Sequence, residues 1–359
     1  MLFSIESDEF LKELSVINQV IPKHTTFPIL CNIRIVAKDG AIHIFGTDLD
    51  TSLSYTTNLA NIEEEGVIIV PAKTLYSMIR EIKGKATFIK EGNRAKVEYD
   101  QGYFYLPLME EEDFPSEPDI NKESAYKVNI EEIRSKIDKL VFIVPEDSAK
   151  RNMSGMLWEY SEHKLKLAVT DSFRLGFSEV EIDFGEESFN IVIPPKILRQ
   201  VSSLETNEVW IGIDESRICF INDKFTMVSR LIKVDFPNYK SAIPEDNKNI
   251  LKIERDSFTA SLKRVSVFSN DKSKTIMIEL GGDLALGASS EIGEGREEIS
   301  GEYNGKEINI ALSAAYLIEI LRYIDTKNIV LRFGESNRPV IIEGEKKDIL
   351  YLLMPVVLE

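Results

Sequence analysis

The feature that most constrains the fold is internal repetition. A unit of about 120 residues recurs three times in the chain of 359 residues. Each unit opens with a short alternating run before an amphipathic helix pattern, and later has a β-branched run that enters a second such pattern. The opening runs are residues 3–5, 126–128 and 251–253, and the later runs are residues 68–73, 191–196 and 308–313. The repeat predicts three domains of one common fold, at residues 1–122, 123–248 and 249–359.

Between its helix patterns, each unit alternates apolar and polar residues with a period of two, which is typical of strands. Turn residues such as Lys38-Asp39-Gly40 separate these runs. Strands are expected at residues 41–45, 165–169 and 275–280, and again at residues 96–99, 217–220 and 340–343. The predicted fold class is therefore α+β, with an antiparallel sheet and two helices packed on it in each domain.

The residues that carry most enzyme chemistry are scarce or isolated. The chain has 3 histidines, and its 2 cysteines, Cys31 and Cys219, belong to no CxxC pair, so we expect buried, reduced thiols and no zinc site. It has no phosphate-binding loop and no nucleophile elbow. Paired carboxylates could serve a glycosidase, but Thr47-Asp48 recurs as Thr170-Asp171, which favours a turn whose side chains bind backbone N–H groups. We predict no enzyme, no metal and no cofactor.

Charge is distributed unevenly along the chain. Acidic residues number 60 and basic residues 43, and the net charge of −17 alone argues against a nucleic-acid partner. Basic residues nevertheless collect on two corresponding helix patterns, with Lys73 and Arg80 on one and Lys196 and Arg199 on the other. A helix with such residues is usually only a solvated face, but their recurrence favours a shared positive surface.

The two ends of the chain also differ in character. The N-terminal residues MLFSIESDEF are acidic where a signal peptide is basic, and no apolar run approaches the roughly 18 residues of a membrane span. We expect a cytoplasmic protein with no membrane partner. At the C-terminus, residues 351–358 are a continuous apolar run that only Pro355 interrupts. Residues 351–354 are expected to form a last strand, and those beyond it to line an apolar groove for a peptide.

Short motifs along the whole chain point to one family. They are Phe27-Pro28-Ile29-Leu30, Gly46-Thr47-Asp48-Leu49, Val70-Pro71-Ala72-Lys73, Asp113-Phe114-Pro115, Gly155-Met156-Leu157-Trp158-Glu159, Ala168-Val169-Thr170-Asp171, Arg174-Leu175, Asp235-Phe236-Pro237-Asn238-Tyr239, Ile243-Pro244 and Tyr351-Leu352-Leu353-Met354-Pro355. In order and spacing they are similar to those of the bacterial beta sliding clamps, the processivity subunits of the replicative DNA polymerase. Each motif alone is weak, and the threefold repeat strengthens the resemblance.

The resemblance implies a head-to-tail homodimeric ring of six domains around duplex DNA, with helices lining the hole and sheets outside. The ring would hold DNA without regard to sequence, slide along it and tether the polymerase for processive replication. Clamp loader, polymerases and repair proteins would bind it through short peptides with apolar anchors. The residues leave one alternative open, an acidic repeat scaffold that docks peptide motifs without binding DNA.

By the same resemblance, a peptide-binding pocket lies between the second and third domains. Its positions are Met153, Thr170, Ser172, Phe173, Arg174, Leu175, Pro237, Ala242, Ser313, Tyr316, Val340, Met354, Pro355, Val356 and Leu358. The sequence departs from the family's usual residues at Ser172-Phe173 and at Val357, and Glu359 extends past the usual end. We therefore expect a different peptide preference.

The resemblance also implies DNA-contact and dimer positions. Together with the helix residues Arg80 and Arg199, the DNA-contact set is Lys23, His24, Lys73, Arg80, Lys150, Arg151, Lys196 and Arg199. His24 stands where relatives often have Arg, so contact there is expected to be weaker at neutral pH. An edge strand near Phe104 is expected to pair with the third domain near Val267 and Phe268, covering edges that would otherwise promote aggregation.

Overall fold

The computed structural model describes residues 1–22, 24–145, 151–269 and 274–357. The described residues form six α-helices and 26 β-strands, joined by turns and short 3-10 helices. The helices are α1 Ser7–Asn18, α2 Ala72–Glu81, α3 Glu131–Leu140, α4 Pro195–Ser202, α5 Arg255–Val265 and α6 Ala314–Arg322.

The strands fall into three series. The first series is β1 Leu2–Glu6, β2 Asn32–Lys38, β3 Ala41–Thr47, β4 Thr51–Thr57, β5 Asn61–Glu64, β6 Gly66–Pro71, β7 Lys85–Glu91, β8 Arg94–Tyr99 and β9 Gly102–Pro107. The second is β10 Tyr126–Asn129, β11 Met156–Ser161, β12 Lys164–Thr170, β13 Arg174–Glu181, β14 Phe189–Ile193, β15 Glu208–Ile213, β16 Arg217–Ile221 and β17 Phe225–Arg230. The third is β18 Asn249–Glu254, β19 Thr275–Leu280, β20 Ala285–Ser290, β21 Gly293–Glu298, β22 Gly301–Asn304, β23 Ile308–Ser313, β24 Asn328–Phe333, β25 Val340–Gly344 and β26 Leu350–Leu353.

One order of elements occurs three times. Each repeat has a strand, a first helix, a group of strands, a second helix and three final strands, and β5 and β22 are extra strands of the first and third repeats. Neighbouring strands pair antiparallel in each of the four sheets that the described residues form. The predicted α+β class, with antiparallel sheets and two helices per repeat, is confirmed.

The described chain divides into two compact units, of which the first comprises Met1–Glu131 and Lys196–Leu231. It holds a five-stranded sheet of order β5-β1-β7-β8-β9 and an eight-stranded sheet of order β10-β15-β16-β17-β4-β3-β2-β6. Phe3 stacks on Phe88 with ring centroids 4.6 Å apart, and Phe10 of α1 meets Phe88 edge-on. The eight-stranded sheet joins the first two repeats because β4 pairs with β17.

The second unit comprises Glu132–Pro195 and Ile232–Glu359. Its nine-stranded sheet has the order β14-β11-β12-β13-β26-β25-β24-β18-β22, and its four-stranded sheet has the order β21-β20-β19-β23. Here β13 pairs with β26, so the second and third repeats join as the first two do. A boundary between compact units thus runs through the second repeat, and the predicted domain boundaries at residues 122 and 248 stay a prediction.

Three local predictions need correction. Because helices usually end before proline, the sequence predicts that the first two helices end near Pro22 and Pro145. In the structure α1 ends at Asn18 and α3 at Leu140, four and five residues earlier. After α1 the chain tightens, because the N–H groups of Gln19 and Val20 bond to carbonyls three residues back. The run Val70-Pro71-Ala72-Lys73 predicts Pro71 in the first turn of a helix, but Pro71 lies at the N-cap of α2. Cys219 is buried as expected, whereas Cys31 is only half-buried.

A carboxyl group is buried where the first two repeats join. Glu13 of α1 is 5% exposed, and its Oε2 accepts no hydrogen bond from the described residues. Burial raises the pKa of Glu13 from 4.5 to about 7, against the opposing effect of a hydrogen bond with Thr57. Nearby Glu9 raises this pKa further and Lys224 lowers it. The folded protein therefore keeps this proton at pH values where the unfolded chain releases it.

Replacing Glu13 by glutamine (Glu13→Gln) is expected to stabilise the protein at high pH alone. Since the folded state binds more protons between pH 4.5 and about 7, the native protein loses stability as pH rises through that window. The amide carries no charge, so the variant should gain about 3 kcal/mol at pH 8 and almost nothing at pH 4.5. Urea denaturation at both pH values measures this, with exposed Glu215→Gln as the control. An equal gain at both pH values would show that ionisation is not the cause.

Candidate functional site

The candidate site is built on the turn between β12 and β13 in the second unit. Thr170 Oγ1 donates to the Arg174 carbonyl at 2.7 Å and accepts from the Ser172 N–H. Asp171 Oδ1 accepts from the backbone N–H groups of Phe173 and Arg174. Ser172 has a φ of 81°, which a tight turn requires and few side chains adopt. The predicted Thr-Asp turn is confirmed, and it leaves Phe173 56% exposed and Arg174 only 7% exposed.

The same turn recurs in the first repeat. The N–H groups of Leu49 and Thr51 bond to Thr47 Oγ1 and Asp48 Oδ1, and Leu49 has a φ of 78°. The equivalent turns give the recurrence of Thr-Asp a structural explanation.

Arg174 joins the turn to helix α6. Its Nε donates to Asp171 Oδ2 at 3.0 Å, and its Nη1 donates to Glu319 Oε2 at 2.5 Å. The guanidinium also lies over the ring of Tyr316, 4.2 Å from its centroid. Because two carboxylates already hold this cation, the site is suited to apolar groups and not to the capture of an acidic side chain.

Aromatic and thioether groups form the exposed part of the site. The rings of Phe173 and Tyr316 stack with centroids 6.0 Å apart. The Ser172 hydroxyl donates to Met153 Sδ at 3.2 Å. Ser313 caps α6 by accepting from the Tyr316 N–H. These contacts hold a wall of apolar surface beside a few polar atoms, as peptide and ligand pockets usually have.

The C-terminal residues complete this wall. The strand predicted at residues 351–354 is observed as β26, Leu350–Leu353. Beyond it, the Met354 N–H donates to the Phe173 carbonyl at 2.9 Å, and the Val356 N–H donates to the Ala311 carbonyl at 2.8 Å. Met354 is 41% exposed and Val357 is 85% exposed, so the tail keeps apolar side chains in solvent.

The other predicted pocket residues differ in accessibility. Leu175 on β13 and Val340 on β25 are buried. Strand β26 lies between these two strands, and its Leu352 pairs with Leu175 and its Leu353 with Val340. Pro237 is half-buried and Ala242 exposed, on a segment whose Tyr239 packs with Leu175. Pro355 is half-buried. Leu358 lies outside the described residues.

Sequence reasoning missed the counter-ion Glu319. It lies three positions after Tyr316 on α6, so both side chains share one helix face, and this spacing was the available signal. Its contact with Arg174 crosses 145 positions of sequence and has no local signature.

The predicted DNA-contact residues are placed unequally. Those that are exposed are His24, Lys73, Arg80, Arg151 and Arg199. Lys196 is half-buried, because its ammonium group donates to the Val20 carbonyl at 2.6 Å and pairs with the Asp48 carboxylate. Lys23 and Lys150 lie outside the described residues.

The predicted dimer residues are apolar, and Phe104 and Val267 are exposed whereas Phe268 is half-buried. Phe104 is 43% exposed on β9, and Val267 is 64% exposed in the turn after α5. Phe268 follows Val267 and lies against Gly295 of the edge strand β21. Sequence reasoning missed the neighbours Tyr103 and Tyr105, which are 58% and 40% exposed; the unbroken aromatic run at residues 103–105 was their signal.

Comparison with known proteins assigns the family. Models of the DNA polymerase III beta subunit match the chain in order, with the N-terminal domain at residues 1–118, the central domain at 127–238 and the C-terminal domain at 240–357. The chain belongs to the DNA polymerase III beta subunit family. The beta sliding clamps of Pseudomonas aeruginosa and Haemophilus influenzae are each 26% identical to it, over 99% of this chain and 100% of theirs.

Solved structures of DNA polymerase III beta subunits have the same fold. Those from Pseudomonas aeruginosa and Thermotoga maritima align with TM-scores of 0.92 and 0.93, each at 24% identity and over 100% of both chains. The chain therefore has the three-domain clamp fold. Its family membership makes it a DNA sliding clamp of DNA replication, and does not support the alternative of a scaffold that never binds DNA.

Other surfaces of the chain are separate from the predicted sites. A cleft of about 750 Å³ on β18, β22 and β24 shares no residue with the predicted pocket. Within the described ranges, no group of three or more His, Cys, Asp or Glu residues could hold a metal ion. Nor does any helix in the described part of the chain have the length and apolar character needed to cross a membrane.

Proposed function

We propose that two copies of this chain close head to tail into a ring around duplex DNA, which tethers DNA polymerase III during replication. The ring would have six domains, with boundaries at residues 1–122, 123–248 and 249–359 of each copy. It acts without catalysis, metal or cofactor, in the cytoplasm. A surface that is not self-complementary forms a closed ring when the rotation between copies allows it.

The observation that carries this proposal is the strand order of the sheets. Within the chain, the last strand of one repeat pairs with a strand of the repeat before it, as β17 pairs with β4 and β26 with β13. The corresponding strands β9 and β21 lie at the ends of the five- and four-stranded sheets. Side by side in two copies, they would make a sheet with the same order of elements as the nine-stranded sheet.

The exposure of Phe104 supports the same arrangement. In each repeat, paired residues can be followed from the first strand, across the neighbouring strands, to one residue of the last strand. The residues reached in this way correspond between the repeats. The three ladders are Phe3-Phe88-Val97-Phe104, Tyr126-Ile211-Phe220-Met227 and Leu251-Leu331-Ile342-Tyr351. Met227 and Tyr351 are 0% and 1% exposed where the repeats join, whereas Phe104 is 43% exposed. Phe104 is therefore exposed at the position that the other two repeats bury in a joint with the repeat before them, and we propose that a second copy forms the third such joint.

Val267 occupies the corresponding place on the other half of that joint. Tyr351 is covered by Phe142, which directly precedes Ile143 in the turn after α3. Val267 directly precedes Phe268 in the matching turn after α5. The pairing of Phe104 with Val267 of a second copy would thus repeat the packing of Tyr351 against Phe142 in the second unit.

The proposed DNA contact uses exposed cations on the helices. Lys73 and Arg80 lie on α2, and Arg199 lies on α4. DNA phosphates are attracted by the local electrostatic field of such residues. A net charge of −17, which is spread over the whole surface, therefore does not oppose DNA binding inside a ring. Contacts to phosphates alone carry no sequence information and permit sliding.

The proposed partner site is the wall around Phe173, Arg174 and Tyr316. Clamp loader, polymerases and repair proteins would insert short peptides with apolar anchors there, since its cation is already neutralised. A sliding clamp from Pseudomonas aeruginosa has been solved with griselimycin bound. We propose that griselimycin also binds this chain, which makes it a usable probe of the site.

Reversing two helix charges tests the DNA contact. The double variant Lys73→Glu with Arg80→Glu is expected to leave circular DNA about tenfold faster than the wild type, because lost phosphate contacts weaken binding and reduce its dependence on salt. The control is Lys38→Glu with Lys122→Glu, which changes the net charge equally at exposed positions away from the helices of the first repeat. Retention on closed circular plasmid, measured by gel filtration, gives the result. Equal loss in both variants would contradict a contact through α2.

A further inference from the structure

The turn of the candidate site has a counterpart in the first unit. There, the Arg230 N–H donates to the Asp50 carbonyl at 2.8 Å. In the second unit, the Met354 N–H donates to the Phe173 carbonyl at 2.9 Å. Both bonds join the turn to the end of the last strand of a repeat, β17 or β26. Asp50 therefore corresponds to Phe173. By the same bonds, Arg230 corresponds to Met354.

In the first unit, each carboxylate beside this turn has a cation of its own. The Lys196 ammonium group pairs with the Asp48 carboxylate. The Arg230 guanidinium lies 3.8 Å from the Asp50 carboxylate, and both of these side chains are largely exposed. Such a surface pair contributes little to stability, but the two cations balance the charge of the two carboxylates.

In the second unit, two carboxylates share one cation. Arg174 binds Asp171 Oδ2 at 3.0 Å and Glu319 Oε2 at 2.5 Å. Met354 stands at the position of Arg230 and brings no charge. Within the described residues, Glu319 forms no ion pair with another cation. One positive charge thus faces two negative charges, and the site has one negative charge in excess.

The excess negative charge is accessible at Glu319. Its side chain is 40% exposed, whereas that of Asp171 is 11% exposed. Glu319 follows Tyr316 by three positions on α6, so both side chains lie on one face of the helix. The ring of Tyr316 stacks on Phe173 in the apolar wall. Because an apolar wall excludes water, a carboxylate at its edge attracts a cation more strongly than a carboxylate in open solvent does.

We propose that the peptide bound at this site carries a lysine or arginine beside its apolar anchor, and that this cation pairs with Glu319. An extended peptide advances about 3.3 Å per residue, so a cation next to an anchor on Tyr316 reaches the carboxylate. The cation would restore the charge balance that Arg230 gives to the equivalent turn. The inference rests on the proposed partner site and adds the charge of the partner.

Two sets of pentapeptides with acetylated and amidated ends, which carry no terminal charge, test the inference. The sets are Ser-Xaa-Leu-Phe-Ser and Ser-Leu-Phe-Xaa-Ser, in which Leu-Phe is the anchor and Xaa is lysine, glutamine or glutamate. Titration calorimetry at low salt measures the affinities. In at least one set, the lysine peptide is expected to bind about fivefold more tightly than the glutamate peptide, as one part-exposed ion pair allows. Added salt should reduce this difference by screening.

The decisive variant is Glu319→Gln, which removes the charge but keeps an oxygen that can accept the bond from Arg174. Its affinities for the lysine and glutamate peptides are expected to agree within about twofold, and the glutamine peptide reports any general change of the site. The matched control Glu215→Gln removes one charge from an exposed position in the first unit and should keep the preference.

Two kinds of failure are distinguishable. A wild type that binds the lysine peptide no more tightly than the glutamate peptide would overturn the inference and leave the partner site standing. A preference for lysine that persists in Glu319→Gln would do the same. Peptide binding that is absent, or that Phe173→Arg leaves unchanged, would overturn the partner site and the inference together.

Discussion

Replacing Phe104 by arginine is expected to convert the dimer into monomers at micromolar concentration. Burying a large aromatic side chain at the centre of an interface contributes about 2–4 kcal/mol. Because a ring of two copies has two identical joints, the dissociation constant should rise by roughly 10³-fold or more. Sedimentation equilibrium of Phe104→Arg beside the wild type gives the measurement.

The control for this variant is Phe173→Arg, which makes the same change at a phenylalanine that is 56% exposed and belongs to the candidate peptide site. It should dimerise as the wild type does. A dimeric Phe104→Arg protein with an unchanged dissociation constant would contradict the proposed joint, and equal loss in both variants would point to a general effect of the added charge.

Replacing Arg174 by alanine is expected to destabilise the protein and remove ligand binding together. The change leaves Asp171, whose side chain is 11% exposed, and Glu319 without their shared cation. Breaking such a buried pair costs about 3 kcal/mol or more. The turn that presents Phe173 should loosen, and affinity for griselimycin should fall at least tenfold. Urea denaturation and titration calorimetry measure the two effects.

The chain offers a matched control in Arg217. Its Nε donates to Asp214 Oδ2 at 3.0 Å, and Asp214 Oδ1 accepts from the Ser216 and Arg217 N–H groups, so the turn has the same design. The side chain of Arg217 is 39% exposed, however, against 7% for Arg174. Arg217→Ala should therefore change stability by only about 0.5 kcal/mol and leave griselimycin binding intact. Similar costs for the two variants would show that burial of Arg174 is not what matters.

The fold was predictable where its signals are local. The two helices of each repeat follow strands where the sequence predicts them. The period of the apolar residues changes there from two to 3.6 within a few residues, so the signal is local. Thr-Asp turns were predictable for the same reason. The ends of α1 and α3 were missed, because the change to tighter hydrogen bonds depends on how the next residues pack.

The pairing of strands from different repeats could not be predicted from local sequence patterns. Strand β4 pairs with β17, and no pattern in either strand names its partner so far along the chain. The same holds for the contact of Lys196 with Asp48, 148 positions apart, which holds a cation that the sequence assigned to DNA. Resemblance to a family supplied the candidate residues, and only the structure shows which of them are exposed, paired or buried.

The central claim is that this chain encircles DNA, and topology tests it most directly. The wild-type protein, loaded on a nicked circular plasmid by clamp loader and ATP, is separated from free protein by gel filtration before and after a single restriction cut. The ring predicts stable retention on the circle and loss from the linear DNA, because an encircling protein slides off a free end at unchanged salt and sequence. Equal retention on circular and linear DNA would contradict encirclement and indicate ordinary surface binding.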